Sequence, residues 1–178
     1  MENYELTTGT DNFKWIESLA LEEINMEESG VVHFKEHLDP NRYLEESSVD
    51  FVNSLREKFE IYVDKFNTYR SSNGNKATIK MFKISNTVND FMLFRNSLRL
   101  VISRKSLDLI HIGFLNNGQE LYSARLHFHD DVPESAPHEI RAHIGPFNKI
   151  TWRFAGEPVD VDSLVKHYLS EFIRISAQ

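Results

Sequence analysis

Between Lys76 and Phe154, apolar side chains recur at every second position, in short runs separated by turn residues. A period of two is the signature of strands with one face buried, and it leaves little room for helix in this stretch. The alternation predicts strands over Ala77–Ile84, Phe91–Phe94, Leu98–Ser103, Leu107–Leu115, Glu120–His129, Glu139–Ile144 and Ile150–Phe154. Turns as short as Asn116-Asn117-Gly118 join antiparallel neighbours, because parallel strands need a crossover of roughly a dozen residues or more.

Helical spacing brackets this region. Val52, Leu55, Phe59, Tyr62, Phe66 and Tyr69 recur three and four apart, which predicts a helix docking on the sheet along that stripe. Ser47 with Asp50 supplies a capping-box-like start, and the Ser-Ser-Asn-Gly run a stop near Gly74. An earlier helix, opened by Thr10 or Asp11 and closed at Ser29-Gly30, places Phe13, Ile16, Ala20 and Ile24 on one face. A short strand is expected at Val31–Phe34. Gly156 and Pro158 interrupt the chain. Asp160 or Asp162 then opens a last helix with Val161, Leu164, Val165, Tyr168, Phe172 and Ile175 on one side.

The expectation is one α+β domain over residues 1–178. It holds an antiparallel meander of about six or seven strands, with N-terminal helices and a long C-terminal helix packed on one face. This element order is similar to the helix-grip arrangement, in which a terminal helix lies across a curved antiparallel sheet. Fold of this kind does not fix function.

Composition narrows the function. With no cysteine, disulfides, thiolate catalysis and zinc–thiolate sites are excluded. The start is polar and acidic, unlike a signal peptide, and no apolar run approaches the roughly 20 residues of a membrane helix. A soluble, cytoplasmic protein with no membrane partner is expected. The formal charge of −7 disfavours generic nucleic-acid binding.

The 125–143 stretch, RLHFHDDVPESAPHEIRAH, carries four of the eight histidines. A three-residue loop at Asn116-Asn117-Gly118 pairs Ile112 with Tyr122 and Ile110 with Ala124, whereas a two-residue loop sets Ile110 against Arg125. The first register puts Ile110, Ile112, Phe114, Tyr122, Ala124, Leu126 and Phe128 in the core. Carried along the sheet, the same alternation sends Leu98, Leu100, Ile102, Ile140, Ala142, Ile144, Ile150, Trp152 and Phe154 inward. The opposite face then shows Arg99, Arg125, Arg141 and Arg153, with His111, His127, His129 and His143 among them, and Glu139 as its carboxylate.

The plainest reading is the solvated back of a half-buried sheet. It explains poorly the shortage of carboxylates, since like charges opposite one another cost a few tenths of a kcal/mol each. A binding surface explains it better, because arginine's planar fork matches carboxylates and phosphates. On this reading Arg125 and Arg141 are the central contacts, Arg99 and Arg153 flank them, and His111 and His143 add to the face. The partner is then an acidic protein or an anionic small molecule, and a second copy of the chain is a further candidate. No cofactor is expected. RNA is disfavoured because the outer positions offer few aromatics for stacking.

The alternative is a metal-dependent hydrolase or oxygenase. His127 and His129 project from one strand face, and Glu139 could complete a site for a divalent transition metal. The spacing resembles the first metal motif of cupins, with Glu134 following, but that family's glycines and second motif are absent. Phosphate-cradling glycine loops and a Gly-x-Ser-x-Gly elbow are also absent. A third setting for a ligand is an apolar pocket under the last helix, with Tyr122, Phe128, Trp152 and Tyr168 as its walls.

Overall fold

The computed structural model describes residues 13–32, 39–74, 78–116 and 136–177. The chain divides into two units, Met1–Asp39 and Pro40–Gln178. The first contains helix α1, Lys14–Ser29, which ends where Gly30 turns left-handed at φ +68° and its N–H bonds back to the carbonyl of Met26 at 2.9 Å. Phe13 occupies its N-cap without a side-chain cap, so the start expected from Thr10 or Asp11 is displaced. No residue of α1 is buried. Phe13, Ile16 and Ile24, expected to dock as one face, are all about half exposed.

The second unit holds helix α2, Pro40–Ser72, then β1 Lys80–Lys83, β2 Phe91–Arg95, β3 Leu98–Ser106 and β4 Leu109–Leu115. After these come β5 His138–Ile144, β6 Ile150–Phe154, the two-residue β7 Glu157–Pro158 and helix α3, Val161–Ser176. The seven strands form one sheet in sequential order, every neighbour antiparallel. Tight turns make this possible. Asn96 and Ser97 both have positive φ between β2 and β3, as do Ala155 and Gly156 between β6 and β7. Two successive positive φ values match the right-handed twist of a hairpin.

One sheet face and the two helices make the core. Leu93, Leu100, Ile102, Ile110, Ile112, Phe114 and Ile140 meet Val52, Leu55 and Phe59 of α2 and Val165 and Phe172 of α3, all buried. Lys58 of α2 also reaches Asp162 of α3 at 2.8 Å. The α2 stripe differs from the expected one after Phe59. Val63 is buried in its place, while Tyr62 and Tyr69 are exposed. The helix also starts well before Ser47. Pro40 stands at its first position, where a missing N–H costs nothing, and Ser47 lies inside, its Oγ accepting from Trp152 Nε1 at 3.1 Å.

Asp160 caps α3 as the sequence suggested, its Oδ2 accepting from the Ser163 N–H at 2.8 Å. That bond holds the Asp160 carboxyl below the ordinary range. A carboxyl depressed in the folded state contributes stability above its unfolded pKa and loses it as pH falls through the lowered value. Asp160→Ala is expected to lower stability near neutral pH, as loss of a helix N-cap does. The difference from wild type should shrink in urea melts as pH is lowered through that range.

The second face of the sheet carries no helix of this unit among the described residues. Cross-strand rows fix its composition: Lys80–Phe94–Arg99–Leu115, Phe82–Met92–Val101–Gly113, Ser103–His111–Glu139, Leu109–Arg141–Arg153 and His143–Thr151. Toward β1 and β2 it mixes Phe82, Met92 and Phe94 with Lys80 and Arg99, and toward β5 and β6 it is cationic.

Candidate functional site: the cationic β5–β6 hairpin

Register decides which expected residues meet. β4 has β3 on one edge and β5 on the other, so Ile112 stands between Ile102 and His138, and Ile110 between Arg104 and Ile140. Tyr122 and Ala124, the partners expected for Ile112 and Ile110, lie outside the described residues. The strand expected at Glu120–His129 falls outside the described residues, and with it Arg125, His127 and His129.

The other site residues are placed, and they separate into two places. Arg99 lies opposite Phe94, its guanidinium 5.9 Å from the ring centroid, and its partner on β4 is Leu115. Arg141 faces Leu109, six residues away along β4. At about 3.4 Å per residue that is roughly 20 Å. Arg99 is thus no flank of the cluster.

Arg141, Arg153, His143, His111 and Glu139 do come together. Arg141 stands directly opposite Arg153, and His143 opposite Thr151 on the same face. Glu139 ties the near side, its Oε2 accepting from Arg141 Nη2 at 2.6 Å. His111 Nε2 lies 3.4 Å from Glu139 Oε1, within ion-pair distance but without hydrogen-bond alignment. The hydrogen bond from Arg141, with the charge of that guanidinium and the His111 ring beside it, holds the Glu139 carboxyl below its ordinary range. Glu139 is therefore engaged by Arg141, with the His111 ring beside it. No group of three or more His, Asp or Glu able to hold a metal occurs among the described residues.

Arg153 is the residue left over. Its Nε donates to Thr151 Oγ1 at 3.3 Å, and no carboxylate pairs with it among the described residues. Two other arginines show what a structural role looks like here. Arg95 is buried and donates to the Ile173 carbonyl and Ser176 Oγ at the end of α3. Its desolvation, with Arg70 nearby, lowers its pKa. Arg104 reaches Glu45 and Ser48 on α2. Arg153 has no comparable set of partners among the described residues.

The turn joining β5 to β6, Gly145 to Lys149, adds a residue that periodicity did not mark. Phe147 is fully exposed, and both Phe147 and Asn148 are left-handed, at φ 58° and 57°. Positive φ is rare for a bulky side chain, and strain of this kind gathers at functional sites. The turn is closed by the Gly145 N–H on the Lys149 carbonyl at 2.7 Å. The available signal was the local sequence: Phe147 sits between Pro146 and Asn148, in a turn that neither strand can draw into the core.

The chain matches no protein-family model, no curated protein and no solved structure. No helix among the described residues is long and apolar enough to cross a membrane.

Proposed function

We propose that this is a binding protein whose β5–β6 hairpin captures an acidic segment of a partner protein. The carrying observation is the directly opposed Arg141–Arg153 pair, one member of which has no carboxylate partner among the described residues. Such a pair costs stability by itself, and an incoming carboxylate would relieve it. Arginine forks donate to carboxylates in bidentate fashion. Lys149 extends the positive field, with His143 on the same strand as Arg141, and Phe147 offers an aromatic anchor of the kind enriched at interface hot spots. An apolar anchor beside the cations favours a peptide over a bare inorganic anion. Of the two arginines expected at the centre, Arg141 stands opposite Arg153, and Arg125 lies outside the described residues.

The test is a fluorescence-anisotropy titration of the whole chain with a labelled octapeptide of alternating Glu and Leu. Saturable binding with a Kd of about 1–100 μM is expected at low salt, weakening steeply as salt screens the charges. Glu139→Gln should tighten it about three- to tenfold, because the carboxylate that occupies Arg141 is gone. Binding should fall on acidification as the peptide's own carboxyls protonate, before Glu139, whose pKa is lowered, does. Absence of saturation at millimolar peptide, or equal affinity for the same peptide with Gln in place of Glu, would overturn the proposal.

A further inference from the structure

We infer that the hollow between α3 and the β5–β7 end of the sheet is a binding site for a neutral, ring-sized apolar molecule carrying one hydroxyl. It is independent of the cationic hairpin face. The hollow has a volume of about 230 Å³, against the roughly 150 Å³ of a dry cavity that holds benzene. Ile140 and Phe154 of the sheet, Val159 of the connection and Leu164 of α3 give it apolar walls. Apolar concavity with a few placed polar groups is the usual form of a small-molecule site.

The polar groups are of two kinds. His138 is buried, its Nδ1 bonded to the Tyr168 hydroxyl and its ring 4.7 Å from that of Phe154. The Tyr168 hydroxyl also lies 3.4 Å from the Ile112 carbonyl. This pair is held in place by its own bonds. His167, whose ring meets Tyr168 edge-on at 5.7 Å, also lines the hollow, and its Nε2 is buried without a hydrogen-bond partner among the described residues. Buried polar atoms in native proteins are nearly always hydrogen-bonded. A turn of the His167 ring toward the hollow brings this nitrogen within reach of a ligand hydroxyl, which then supplies what is missing. Glu157 stands among the lining residues and the chain carries a charge of −7, which together select against a carboxylate ligand.

The experiment uses 4-ethylphenol and ethylbenzene on the intact chain, followed by calorimetry and ligand-detected NMR. A single site for 4-ethylphenol with a Kd of about 0.1–1 mM is expected, with ethylbenzene at least about threefold weaker. Leu164→Trp, which fills the hollow, should weaken 4-ethylphenol at least about tenfold. Val159→Phe fills it from the connection between β7 and α3 and decides the matter if the first variant does not fold. His167→Phe should remove the preference for the phenol. No saturation by either compound, or full affinity in a folded filled variant, would overturn the site. Equal affinity of the two compounds for the wild-type chain would overturn the hydroxyl contact.

Discussion

Arg141→Glu combined with Arg153→Glu is expected to weaken capture of the Glu–Leu peptide by at least about 100-fold, with folding intact. Each reversal turns an attraction into a repulsion. Two reversals at the short range of a paired guanidinium exceed the roughly 2.7 kcal/mol that such a ratio represents. Stability should move little. Both side chains lie on the sheet face turned away from α2 and α3, and the strand pair keeps like charges across it with only the sign changed. The lost contact to Glu139 is an exposed one, of the kind worth at most about 1 kcal/mol. Arg153→Glu alone separates binding from folding most cleanly. It sets opposite charges across the pair, so stability should rise by a few tenths of a kcal/mol while peptide affinity falls. Parallel loss of both would mean that the pair is structural and the proposed surface is wrong.

That pair was legible only in part, and the reason is physical. Alternation identified Arg141 and Arg153 as outward residues, because a strand with one buried face reveals its faces locally. The segment Ile150–Phe154 is a strand to the residue. Pairing between strands distant in sequence leaves no comparable local trace. The turn at Asn116-Asn117-Gly118 suggested one neighbour for β4, and the sheet supplies β5. Arg99 was grouped with the others for the same reason, since facing the same way does not bring residues close.

Periodicity also says that a face exists without saying what covers it. The spacing over Phe13–Ile24 does make an amphipathic helix, and α1 buries none of it. Ile144 follows the alternation inward yet remains 41% exposed at the end of β5. β2 shows the converse. Phe91, Met92, Leu93 and Phe94 form a continuous apolar run whose faces cannot be told apart by pattern, and only Phe91 and Leu93 are buried. The start of α2 was missed because Pro40–Asp50 lacks an apolar stripe. Polar contacts hold it instead, among them Arg42–Glu46 and Arg104–Glu45. Of the four residues expected to wall a pocket, Tyr168 does so, whereas Trp152 stacks on Phe51 at 5.1 Å. Tyr122 and Phe128 lie outside the described residues.

Phe59→Ala is expected to lower the free energy of unfolding by about 3–5 kcal/mol. Phe59 is fully buried midway along α2, between the turns that carry Leu55 and Val63, and meets Phe91 of β2 edge-on at 5.9 Å. Truncation removes that ring pair and leaves a void that a rigid sheet on one side cannot collapse to fill. Tyr62 lies one turn along the same helix with its side chain exposed, and Tyr62→Ala should cost no more than about 1 kcal/mol. Urea titration at constant slope measures both. Peptide capture by folded Phe59→Ala should stay within about twofold of wild type, because the cationic hairpin projects from the sheet face opposite α2. A small cost at Phe59 with a large one at Tyr62 would show that α2 turns a different stripe to the sheet. A large cost at Phe59 accompanied by lost capture would instead place the binding surface under control of the core.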